Sequence, residues 1–197
     1  MAIIIGKKEG ADIFVVQLAA LLHDIGDWKY HDDENAGADI THKWLSSLGI
    51  DANTVLSICE IVNNVSYKGS EVPNKIKTLE GFVVQDADRL DALGAIGIAR
   101  VFTTSHKMGN PIHDPNLKPI KHTSFEQYKS SKSTAINHFY EKLLLLKEEM
   151  NTDTAKQLAK SRHEFMLLYL EEFFKEWEGK DVYEKIQGSS GTARKNS

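Results

Sequence analysis

Cysteine, proline and long apolar runs are all scarce in this chain of 197 residues, and each scarcity excludes something. The single cysteine, Cys59, rules out an intramolecular disulfide and suits a reducing compartment. It lies in the apolar run Val55 to Cys59 and reads as a core thiol rather than a nucleophile. No stretch approaches the roughly 20 apolar residues that a membrane helix needs. The apolar start Ile3-Ile4-Ile5 is too short for a signal sequence and lacks a small-residue cleavage site. The expected location is therefore cytoplasmic, with no membrane partner. The net charge is −4 and no basic stripe is present, which argues against nucleic acid as a partner. A 41% hydrophobic content over this length supports one sizeable core and a single domain.

Strand signals are equally sparse, so an all-α fold is expected. Asp12 is placed to cap a helix from Ile13 to Leu22. A second helix, Glu34 to Leu48, stops at Gly49. A third runs from Ala52 to Asn63, with Asp51 at its start. Asn64 to Glu71 reads as a loop, and Pro73 marks the next start. Lys75 to Gln85 fits a helix or an extended buried run. Ala87 to Phe102 is apolar at helical spacing despite Gly94 and Gly97. Three of the four prolines fall between His106 and His122, which predicts a long loop of the kind that often serves as a lid. Ser124 to Met150 and Thr152 to Trp177 predict two long amphipathic helices, with Asn151 to Asp153 as turn and cap. The tail has no large apolar residue after Ile186 and is expected to be disordered. The organisation is one domain over 1–186, with a core at 1–105, a long loop at 106–122 and covering helices at 123–186, followed by the tail 187–197.

Two segments carry the chemistry. His23-Asp24 closes the first capped helix, and Asp86-Ala87-Asp88-Arg89-Leu90-Asp91 lies downstream. One imidazole nitrogen with carboxylate oxygens suits a divalent ion such as Mn²⁺, Mg²⁺, Co²⁺ or Fe²⁺. Neighbouring helical residues point about 100° apart, so His23 and Asp24 reach one ion only at a helix end, where Gly26 lets the chain turn. Asp27, three residues beyond Asp24, is a candidate general base. A His-Asp pair alone reads more readily as a helix-end histidine bonded to a carbonyl. Three aspartates in six residues of an apolar stretch shift that balance, because buried carboxylates need partners. A helix N-terminus capped by Asp86, with Asp91 solvated, accounts for one or two of them.

The two segments together, Leu21 to Asp27 and Gln85 to Gly97, resemble the HD-domain metal-dependent phosphohydrolases. Thr134 to Leu143 and Arg162 to Met166 also look like small bacterial members of that superfamily, some of which split nucleoside triphosphates into monophosphate and pyrophosphate. The similarity extends from about Glu9 to Trp177. The resemblance implies an HD-type helical bundle and four metal ligands: a histidine on a preceding helix, a His-Asp pair and a final aspartate. Here these match His23, Asp24 and Asp88. The first histidine has no match, and the opening Ala2 to Gly10 looks like the tail of the family's first helix. The helix bearing that ligand is expected to be missing from this chain, which would weaken metal binding.

The implied function is hydrolysis of a phosphate ester or anhydride, a nucleotide by expectation, through metal-activated water. Asp24 and Asp27 would be the catalytic carboxylates. The alternative is an impaired homologue that binds a nucleotide or a partner without turnover. Lys68, in the loop after Asn64, reads evenly as a phosphate contact or a solvated lysine. Arg89 reads as a phosphate contact or a structural ion pair. His138 and Lys142, at i and i+4, share a face that in this family covers the cleft; Arg162 and His163 are similar. His42 and His31 read as surface residues, and His113-Asp114 as a chance repeat in a proline-bounded loop. Trp44 and Trp177 read as core anchors, and Trp28, close to the site, reads as a core anchor or a base-stacking group. Homodimerisation is open to such a chain.

Overall fold

Side-chain caps and left-handed glycines divide the chain into helices. The computed structural model describes residues 1–26, 36–66, 73–120 and 133–181. Among them the order is α1 (Ala2–Glu9), α2 (Ile13–Leu22), α3 (Ala36–Ser47), α4 (Ala52–Asn64), α5 (Leu79–Asp91), α6 (Gly94–Lys107), α7 (Ala135–Glu141), a 3₁₀ segment (Leu143–Glu149) and α8 (Asp153–Trp177). No strand occurs among the described residues, and the all-α expectation holds. No helix among them is long and apolar enough to cross a membrane. The loop residues Asp27 and Lys68 and the tail 187–197 lie outside the described residues.

The caps fall where residue chemistry places them. Asp12 accepts from the Phe14 and Val15 amides at 2.9 and 3.4 Å, and Asp51 accepts from Thr54 N at 3.0 Å. Thr78 starts α5 by accepting from Gly81 N, so Lys75 to Lys77 precede the helix. Each such cap satisfies amides that the first helical turn leaves without a carbonyl.

Two expected helices are shorter than their periodicity suggests. Ala87 to Phe102 is not continuous: α5 ends at Asp91, Leu93 is extended, and α6 restarts at Gly94. Gly94 has φ 74°, and a Cβ there would stand 3.1 Å from Cγ of Arg162. Both the backbone and the packing require glycine at this break. Ser124 to Met150 is also interrupted. Thr134 caps a new start by accepting from Asn137 N at 2.9 Å, and Lys142 leaves helical geometry at φ −141°, ψ −59°. The chain then tightens into the 3₁₀ segment, which brings Glu149 to Arg89.

The core lies between α1, α2, α4 and α5, around Ile5, Val16, Ile58, Val83 and Leu90, each essentially buried. The far side is closed by α8, whose Ala155, Ala159, Met166 and Leu170 form an inward stripe at helical spacing. Trp44 and Trp177 are about half exposed, contrary to the expectation of core anchors; Trp28 lies outside the described residues. Cys59 is buried and donates its thiol to Ala38 O, as a core thiol should. The proline-rich loop is pinned over its described part rather than free. Pro111 and Ile112 carbonyls accept from Ala135 and Ile136 N, and Leu117 O accepts from Asn137 Nδ2.

One buried carboxylate ties α5 to α8. Asp86 is fully buried and accepts from Asn151 N and Nδ2 at 2.9 and 2.8 Å, and from Thr152 N and Oγ1 at 2.7 Å each. It does not cap its own helix, as the sequence suggested. It sits in the second half of α5 and holds the N-terminus of α8, where the helix dipole favours an anion. Glu9 of α1 adds a bond from Thr154 N at 2.8 Å, and the Thr154 hydrogen bonds hold its carboxyl below the ordinary value. Asp86→Asn would point an amide donor at groups that are themselves donors. Its expected cost is about 2–4 kcal/mol of unfolding free energy in urea. Asp153→Asn, at an exposed position, should cost under about 1 kcal/mol. A wild-type midpoint for Asp86→Asn would contradict this account of the junction.

Candidate metal centre

The site is assembled at the C-terminal ends of α2 and α5. His23 is the first residue past α2. Its Nδ1 donates to Ala20 O at 2.8 Å, which fixes the ring and leaves Nε2 facing outward. Nε2 stands 3.4 Å from Asp24 Oδ2 and 3.7 Å from Asp88 Oδ1. Gly26 allows this turn: a Cβ there would stand 2.2 Å from Gly37 N at the start of α3. Any side chain would push α3 away from the end of α2.

His23, Asp24 and Asp88 therefore come together from two segments 64 residues apart, as the sequence analysis placed them. A metal-ligating imidazole usually has its other ring N–H tied to a carbonyl or carboxylate, as Nδ1 is tied to Ala20 O here. Ligands bonded at about 2.1 Å lie roughly 3.0–3.5 Å apart, close to the contacts seen. The donor chemistry fits a divalent ion. Among the described residues, no group of three or more His, Cys, Asp or Glu is disposed to hold a metal.

As the groups stand, they form an ion pair. At 3.7 Å the Asp88 contact is too long for a good hydrogen bond. Pairing with Asp88 is still the largest cause that raises His23 to about 9. Burial opposes the rise, and the Ala20 carbonyl and the charge of Asp24 assist it. Burial works to raise Asp88, but pairing with His23, helped by the charges of Lys142 and Arg100, holds it below its ordinary value.

The remaining candidates divide. Arg89 is buried, with Nη2 3.1 Å from Glu149 Oε2 and Nη1 donating to Glu149 O. These contacts join α5 to the end of the 3₁₀ segment. Burial raises the Glu149 carboxyl, against the charges of Arg89 and Lys142. Lys142 is half-buried and acts electrostatically on both Asp88 and Glu149, which places it beside the site. His138 is half-buried on α7, and its carbonyl accepts from Lys142 N. Because α7 ends at Glu141, these two do not share a continuous helix face. Arg162 donates to Leu90 O and so closes the end of α5. Burial lowers His163, and Lys147 adds to that. His113 packs edge-on against Phe173, Phe174 and Trp177. His42 is exposed, as expected.

A cleft of about 770 Å³ opens beside the imidazole. Its polar end is lined by His23, Asp24, Asp88, Asp91 and Arg100, and Phe14 and Leu21 contribute apolar wall. Arg100 was not among the candidates legible in the sequence. Its only signal was position: on a continuous helix from Ala87, twelve residues would turn it about 120° away from Asp88. The break at Gly94 redirects it into the same cleft.

The HD domain family model matches residues 1–93. YpgQ of Bacillus subtilis (strain 168), an uncharacterized protein, is 35% identical over 183 residues, covering 92% of this chain and 82% of its own. The chain belongs to the HD-domain family. A solved structure from Lactobacillus plantarum is similar at 40% identity and TM-score 0.80, covering 90% of this chain and 82% of that one. An HD-superfamily hydrolase from Bacillus thuringiensis is similar at 40% identity and TM-score 0.70, with coverages of 90% and 81%. YpgQ itself has a crystal structure in complex with ADP, at TM-score 0.70 and 37% identity, with coverages of 89% and 82%. Hydrolases of this family are generally dependent on divalent metals.

The His23 pair sets a pH dependence in the metal-free protein. The histidine is raised, so its contribution to stability is complete below pH 6.5 and lost as pH rises through about 9. Asp88 is lowered, so its contribution is present above 3.8 and lost as pH falls through its folded value. With chelator present, the His23 Cε1 proton should titrate near 9 by NMR. Asp88→Asn should return it toward the ordinary range. A midpoint near 6.5 in the wild-type chain would contradict the pairing.

Proposed function

We propose that this chain is a divalent-metal-dependent phosphohydrolase whose substrate is a nucleotide. The observation that supports this most directly is the His23 imidazole. Its Nδ1 is held by Ala20 O, and its Nε2 faces the carboxylates of Asp24 and Asp88 at the polar end of a cleft. The ADP complex of YpgQ supports the nucleotide class.

His23, Asp24 and Asp88 would hold the ion, with Mn²⁺, Mg²⁺, Co²⁺ or Fe²⁺ compatible with one nitrogen and several oxygens. When bound, such an ion makes water more acidic and neutralises phosphoryl oxygens. The protein's own groups supply the rest. His23 releases its proton for binding, so affinity rises with pH. Asp27 would accept a proton from the attacking water or orient it, beside the ligand Asp24. Lys142, His138 and Lys68 would offset charge on the phosphate. Arg89, held by Glu149, supports α5 from behind.

A second reading has one observation in its favour. The described donors do not complete a metal set, so the chain would bind a nucleotide or a partner without turnover. The purified chain should release phosphate or pyrophosphate from a nucleotide panel in the presence of Mn²⁺. Asp24→Ala and Asp88→Ala should each abolish that release. Metal-dependent turnover surviving in either variant would remove the ligand assignment. Nucleotide binding without turnover, under every metal tried, would favour the second reading.

A further inference from the structure

The cleft joins three carboxylates, Asp24, Asp88 and Asp91, to the His23 imidazole, the Met1 amino end and one side-chain cation that is always charged. Among the described residues that line it, Arg100 is that cation. An anionic ligand entering here meets net repulsion unless cations face it. Arg100 lies on α6, across the Leu93 break from Asp88, and its side chain is exposed to solvent. It makes no ion pair among the described residues, with Asp88, Asp91 or any other carboxylate. Yet its charge acts on Asp88. It lines the same cleft as Asp88 without pairing with it.

Among the described residues, no acceptor takes up the donors of this guanidinium. Its planar fork matches two phosphate oxygens at once, which a lysine does not reproduce. Arg89 is the contrasting case: it is buried and engaged by Glu149. Lys142 acts on Asp88 without lining the cleft.

We propose that Arg100 binds a second phosphoryl group of the substrate, one removed from the group at His23 and Asp88, and so selects nucleoside di- and triphosphates over monophosphates. This rests on the nucleotide reading above and names the substrate class within it. The first phosphoryl group lies at the carboxylate end, the next reaches the guanidinium, and a monophosphate has nothing to place there.

The test is calorimetric binding of ADP and AMP, each with Mn²⁺, to the wild-type chain and to Arg100→Ala and Arg100→Lys. Thermal unfolding of each variant serves as the folding check, and an exposed arginine should leave it unchanged. Wild type is expected to prefer ADP. Arg100→Ala should weaken ADP by roughly tenfold or more while AMP changes by less than about threefold, and Arg100→Lys should fall between. An ADP to AMP ratio preserved in folded Arg100→Ala would overturn the proposal and leave the nucleotide reading standing. A wild-type chain that binds neither nucleotide would overturn the nucleotide reading, and this inference with it.

Discussion

The junction between α5 and the start of α8 is the constraint on which the rest depends. Asp86 is a fully buried carboxylate, and burial of such a group is tolerated only when its acceptor capacity is used. Here it is used by the amides and side chains of Asn151 and Thr152, at the point where α8 begins with a run of free N–H groups. Gln85, bonded to Asn74 and Asn151, and Arg89, bonded to Glu149, extend the same polar face. The three residues fall within five positions of one helix. They fix its rotation as well as its place.

That rotation sets the opposite face. Asp86 and Asp88 are two residues apart and so point about 200° apart on the helix. With Asp86 turned into the α8 junction, Asp88 is turned toward His23 and the cleft. Asp91 follows near the same edge and remains solvent-exposed. Three carboxylates in six residues thus have three separate partners: a helix N-terminus, an imidazole and water. Arg162 closes the end of the helix through Leu90 O, and its stem packs where Gly94 has no side chain. In the function proposed, the site is shaped from behind by bonds that never touch substrate.

Much of this was legible in residue order. Asp12, Asp51 and Thr152 announced their helices because a cap is a local event, complete within four residues. His23, Asp24 and Asp88 were readable because the chemistry of a mixed imidazole and carboxylate set is distinctive, and the resemblance to the HD-domain family placed them. The role of Asp86 was not readable, since its partners lie 65 and 66 residues away. The sequence suggested a cap on its own helix, and the structure gives it the cap of another. The break at Leu93 was hidden because the apolar spacing continues through it. Arg100 was hidden with it, for on an unbroken helix it would face elsewhere.

Division of labour between Asp86 and Asp88 is the claim most open to direct attack. Mn²⁺ binding to purified Asp88→Asn, followed by the EPR signal of free ion beside wild type and folded Asp86→Asn, addresses it. The account predicts that Asp88→Asn weakens Mn²⁺ by at least about tenfold while Asp86→Asn acts chiefly on stability. Wild-type Mn²⁺ affinity in Asp88→Asn would contradict it.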